Sequence, residues 1–229
     1  MLYQKKKKYL FRTIGRWAPI RAIKRFYYKI WALKYKQIHI VVDTCALLSS
    51  REIERLACLK NIWVPRSVWQ QIGRMVNPEL VCVEEPDKED CLVSKTPLKS
   101  EILIKKTKEA AQRAEVIMTQ MLNKHHWKII SSRGTGIVGW ISRRKVDDLD
   151  PEIKKELKAL LKKRSQKFDP EISLGDLVGS TDLRILAAAI FLLRRKKIEN
   201  KLVIISEDRI LSLISRNQGI KVLRSTKDL

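Results

Sequence analysis

Three aspartates, far apart in the chain, each stand at the edge of an apolar run. Asp43 ends the run Ile38-His39-Ile40-Val41-Val42. Asp182 opens the run from Leu183 to Ile190, and Asp208 follows Leu202-Val203-Ile204-Ile205-Ser206-Glu207. A run that is apolar throughout and then ends in an acid reads as a buried parallel strand with a carboxylate at its C-terminal edge. In open α/β sheets, sites assemble at that edge. Three carboxylates gathered there repel one another unless a divalent cation lies between them. A hard, oxygen-rich site of this kind suits Mg²⁺ or Mn²⁺.

The elements that must position these acids follow from periodicity. Strand one ends at Asp43, and Ala46 to Lys60 reads as a helix with Leu47, Leu48, Ile53, Leu56 and Leu59 as its apolar set. Ile62 to Val64 is a short strand ended by Pro65. Ser67 is the expected N-cap of a helix through Val68, Ile72 and Met75. Leu80 to Val83 is a further strand candidate, and 84–100 reads as a linker or surface loop. A long helix spans 100–125, and 126–146 is expected to be irregular or a small hairpin. Pro151 opens a second basic helix. From 173 the α/β pattern returns: a helix from Asp182 to about Lys196, a strand Leu202 to Ser206, a helix to Arg216 and a strand Ile220 to Leu223.

The chain of 229 residues carries a formal net charge of +23, with 45% hydrophobic residues. That is enough apolar material for a core. The charge speaks to partners: nucleic acid first, an anionic membrane surface second. Residues 1–37 hold twelve Lys or Arg and no acid. Between Trp17 and Lys36 apolar residues recur at three- and four-residue steps, which describes a basic amphipathic helix with Lys24 and Arg25 on its polar side. Residues 101–168 hold seventeen Lys or Arg against eight acids. Cys45, Cys58, Cys82 and Cys91 match no zinc spacing and read as buried small residues in a reducing compartment. No stretch reaches membrane-span length and no secretory signal is evident. An intracellular, cytoplasmic protein is therefore expected, with organellar import still open.

At this point the chain resembles the PIN-domain family of metal-dependent ribonucleases. "IHIVVDTCALL" looks like that family's first strand and Asp-Thr/Ser step, at Asp43 and Thr44. "IWVPRSVWQQI" looks like its second strand, proline and following helix. "STDLRILAAAIFL" looks like its Asp and Ile/Ala-rich helix, at Asp182, and "LVIISEDRIL" like its Ser/Thr-x-Asp step, at Ser206 and Asp208. The pieces cover roughly 38–83 and 173–224, in the family's order. The resemblance implies a three-layer α/β/α sandwich with a mostly parallel sheet. It implies Asp43, Asp182 and Asp208 as catalytic metal ligands for Mg²⁺ or Mn²⁺, with Thr44 and Ser206 orienting them. One departure stands out: where the family usually carries a second acid after the proline, this chain has Gln71. Asp176, six residues before Asp182, is the first candidate to replace it, and Glu207 the second.

Other constellations carry less. "GTGIVG" at 134–139 matches a dinucleotide fingerprint in letters, but no βαβ unit is apparent around it. A glycine turn presenting Arg133, Arg143, Arg144 and Lys145 to phosphates is the preferred reading, and no small-molecule cofactor is expected. His125 and His126 are adjacent and so diverge on a helix. Trp127 and Trp140 flank the basic loop; exposed, they would stack on unpaired bases.

The expected organisation is a basic N-terminal extension at 1–37, a PIN-like α/β domain at 38–95 and 171–229, and a basic helical insertion at 96–170. The expected activity is endoribonuclease action on RNA, rRNA or tRNA included, with self-association and membrane contact left open. Two competing readings are a non-catalytic RNA-binding or assembly protein on a decayed scaffold, and a toxin of a toxin–antitoxin pair.

Overall fold

The computed structural model describes residues 27–77, 101–132, 134–196 and 201–229, apart from positions 29, 31 and 34. The strand expected at Leu80–Val83, the linker 84–100, and Lys24, Arg25 and Arg133 lie outside the described residues. The chain divides into two compact units, Met1–Lys36 and Gln37–Leu229. In the first, the described residues within 27–33 are helical, and Tyr27, Ile30 and Leu33 of the expected apolar stripe are exposed.

The second unit is built on five parallel strands: β1 (His39–Val42), β2 (Ile62–Pro65), β3 (Trp127–Ile130), β4 (Leu202–Ile205) and β5 (Lys221–Leu223), in the order β3-β2-β1-β4-β5. β1 is central. Val41 stands opposite Trp63 of β2 on one side and Ile204 of β4 on the other. Ile40, Val41 and Val42 are all fully buried, although successive strand side chains point to opposite faces. Both faces are therefore covered, and helices do the covering, which makes the expected α/β/α sandwich.

The helices are α1 (Thr44–Leu48), α2 (Ser50–Leu56), α3 (Arg66–Val76), α4 (Glu101–Asn123), α5 (Ile137–Ser142), α6 (Pro151–Lys163), α7 (Leu174–Leu177), α8 (Ser180–Lys196) and α9 (Arg209–Arg216). The single helix expected after strand one is two, because the Ser49 hydroxyl accepts from the Glu52 N–H and caps a second start. Ser67 is not a cap. Pro65, at φ −56°, turns the chain from strand straight into helix at Arg66, and the Ser67 hydroxyl is buried inside it. α8, the longest run of buried Ile, Leu and Ala, lies against β1, β2 and β4. No helix among the described residues is long and apolar enough to cross a membrane.

The segment 126–146 differs from its expectation of an irregular or hairpin stretch. Trp127–Ile130 joins the sheet as an edge strand parallel to β2, with Trp63 opposite Lys128. Its two middle residues are exposed, so it shows no continuous apolar run. The histidine pair closes α4: His126 N–H bonds the Met121 carbonyl, His125 N–H bonds that of Leu122, and His125 sits at φ 56°. That is a Schellman ending. Beyond β3, Gly134 (φ 72°) and Gly136 (φ 69°) turn the chain into the six-residue α5.

Candidate active site

The strand order reverses direction at β1. From there the chain first moves outward to β2 and β3, then returns to β4 and β5 on the other side. The connections leaving β1 and β4 therefore diverge and open a crevice at their C-terminal ends, where α/β proteins bind ligands. Asp43 is the residue after β1, and Ser206 to Asp208 follow β4. The two ends are tied together, since the Asp43 N–H bonds the Ile205 carbonyl at 3.1 Å.

A cavity of about 820 Å³ occupies the crevice. Its walls include Asp43, Thr44, Cys45, Gln71, Asp182, Glu207 and Asp208, with the Gly179–Ser180–Thr181 turn that starts α8. Each acid is set by a helix start. Asp43 caps α1, its Oδ1 accepting the Thr44 N–H. Asp208 caps α9, its Oδ1 accepting the Leu211 N–H at 2.7 Å. Asp182 lies in the first turn of α8.

Asp43 is buried and its second oxygen is held twice. Ser206 Oγ donates to Oδ2 at 2.6 Å, and the Cys45 thiol donates to the same atom at 3.0 Å. Ser206 Oγ also accepts the Asp208 N–H at 3.0 Å, so one hydroxyl links two of the acids. Thr44 Oγ1 donates to Gln71 Oε1 at 2.6 Å. Gln71 thus stands at the cavity wall, fixed by the residue after Asp43.

Electrostatics separate Asp182 from the rest. Burial, and then the charges of Asp43 and Asp208, push its carboxyl up to about 7. A helix start favours negative charge, so burial and the two acids outweigh the dipole here. Cys45 is raised to about 12 by burial first and Asp43 second, which keeps it a thiol and a hydrogen-bond donor.

The remaining expected residues are placed elsewhere. Asp176, in the short α7, accepts the Ser173 hydroxyl at 2.6 Å and does not line the cavity. Glu207, the second candidate, does line it. Lys145 is ion-paired with Glu171. Arg144 donates to the Asp148 carbonyl and lies 5.4 Å over the half-exposed Trp140 ring, while Arg143 is exposed. Trp127 is buried. Sequence reasoning missed Cys45, whose only signal was its position two residues past Asp43.

The donor chemistry fits a hard divalent ion: four carboxylates, an amide and three hydroxyl side chains line one cavity, with one carboxylate pushed to about 7 by burial and its acidic neighbours. Among the described residues, no three His, Cys, Asp or Glu side chains stand close enough to hold an ion unaided. Mg²⁺ sites commonly keep several waters beside one or two carboxylates.

A family model described as PIN domain matches residues 40–226, from within β1 to just beyond β5. No curated protein and no solved structure matches significantly.

Proposed function

The chain belongs to the PIN-domain family, whose members are generally nucleases acting on RNA or DNA with divalent ions, and from that premise we propose that it is a metal-dependent endoribonuclease. The observation that carries the proposal is the Asp182 carboxyl, raised by burial beside Asp43 and Asp208 in a cavity of oxygen donors. A basic chain of +23 draws a polyanion to that cavity.

Asp43, Asp182 and Asp208 would hold Mg²⁺ or Mn²⁺, which when bound supplies an acidified water and neutralises charge on a phosphate. The chain's own residues prepare that site. Ser206 and Cys45 fix the orientation of Asp43. Asp208 is held by α9. Thr44 pins the Gln71 carbonyl oxygen and leaves its amide hydrogens for water or a phosphate oxygen. The Asp182 carboxyl, raised by burial and its two acidic neighbours, would release its proton when such an ion binds.

Cleavage of labelled mixed-structure RNA in Mn²⁺, Mg²⁺ or EDTA tests the reading. Metal-dependent products are expected from the wild type and at least about 100-fold fewer from Asp43→Asn. Products unchanged in the variant would sink the site. Gln71 favours a second reading, a non-catalytic RNA-binding protein on the same fold, because an amide brings no charge to the cluster. It predicts salt-sensitive RNA binding, equal in both proteins, without products.

A further inference from the structure

A second cavity, of about 330 Å³, adjoins the first. It lies between α6 and α9 and shares Glu207 and Asp208 with the catalytic crevice. Along the C-terminal edge of the sheet the two follow one another, the crevice at β1 and β4, the groove beyond it towards β5. Their charges differ. The lining of the groove carries Lys163 at the end of α6, Arg209 and Arg216 on α9, and Arg224 just after β5. Arg216 is taken by Glu156, through two bonds of 3.0 and 3.1 Å. Lys163, Arg209 and Arg224 are exposed and carry no ion pair among the described residues. Three uncommitted cations thus line one groove that meets the catalytic crevice at Glu207 and Asp208.

We infer that this groove is the track for the RNA strand flanking the cleaved bond, with Lys163, Arg209 and Arg224 on its phosphates. The inference rests on the ribonuclease reading. A phosphate over Asp43, Asp182 and Asp208 needs a metal ion to be tolerated; its neighbour, one groove further, meets cations instead. The geometry therefore orients the chain: acid and metal at the cut, arginine and lysine beside it. Glu156 keeps Arg216 out of the track and joins its two walls.

The test is binding of a fluorescent single-stranded RNA in EDTA, read by anisotropy across a salt series. Lys163→Ala/Arg224→Ala is expected to bind more weakly and to flatten the slope of log K against log salt by about 1.4, from roughly 0.7 per lost phosphate contact. All substituted side chains are exposed, and unfolding midpoints check that the fold is kept. Lys108→Ala/Arg113→Ala on α4 removes the same charge away from the groove and is expected to change the slope little. A wild-type slope in the groove variant, or an equal loss in the α4 variant, overturns the track. Absence of RNA binding by the wild type overturns the ribonuclease reading itself, and the track with it.

Discussion

Asp182 is where charge balance is decided. Its carboxyl, ordinarily near 3.8, is raised to about 7 by burial and by Asp43 and Asp208. The folded chain therefore keeps a proton that the unfolded chain has released between those two values. Stability from this group is full below pH 4, falls as pH rises towards 7, and is level above. A divalent ion replaces that proton. Mn²⁺ is therefore expected to raise the melting temperature more at pH 8 than at pH 6, and Asp182→Asn to erase the difference. Gln71→Glu is expected to lower the metal-free melting temperature, by adding a like charge, and to tighten Mn²⁺ binding on the order of tenfold by calorimetry. At this scale the three aspartates were legible because an apolar run followed by an acid is a local pattern. Cys45 was not, since its role depends on Ser206 and Glu207 arriving from the other side of the sheet.

At the scale of elements, one close approach borders the crevice. A Cβ on Gly175 would collide with the Ser142 hydroxyl and stand 3.2 Å from the Ser142 carbonyl oxygen, so α7 and α5 meet only because residue 175 has no side chain. Gly175 also lines the crevice. Gly175→Ala is expected to cost about 1–3 kcal/mol in urea unfolding. Ser142→Ala in the same chain should return part of it, because the nearest obstructing atom is then gone. The strands β1, β2, β4 and the helix α8 were readable as uninterrupted apolar runs. β3 was not: at the sheet edge only Trp127 and Ile130 are covered, and Lys128 and Ile129 face outward, so its four residues mimic a loop. The same edge exposure suits Lys128, a charge that discourages pairing with another chain.

At the scale of the larger unit, residues 225 and 226 are tied back to α2. Glu52 on α2 accepts the Ser225 hydroxyl at 2.8 Å and the Thr226 N–H at 2.7 Å, with Arg55 at 3.2 Å. Burial opposes its charge, but these bonds win and hold its carboxyl below the usual 4.5. This stability is present above pH 4.5 and is lost as pH falls through the lowered value. Glu52→Gln is expected to cost about 1–3 kcal/mol at pH 7 and much less at pH 3, by urea titration. Such a contact between residues 52 and 226 has no signature in a single sequence, whereas the mostly parallel sheet did. Ser206 and Asp43, bonded across the crevice, are 163 residues apart. Synthesis runs from the N-terminus. Asp43 therefore leaves the ribosome long before the hydroxyl that orients it, and before either of its partner acids. A nascent chain that stops short of Asp182 holds one acid of the three and cannot assemble the crevice.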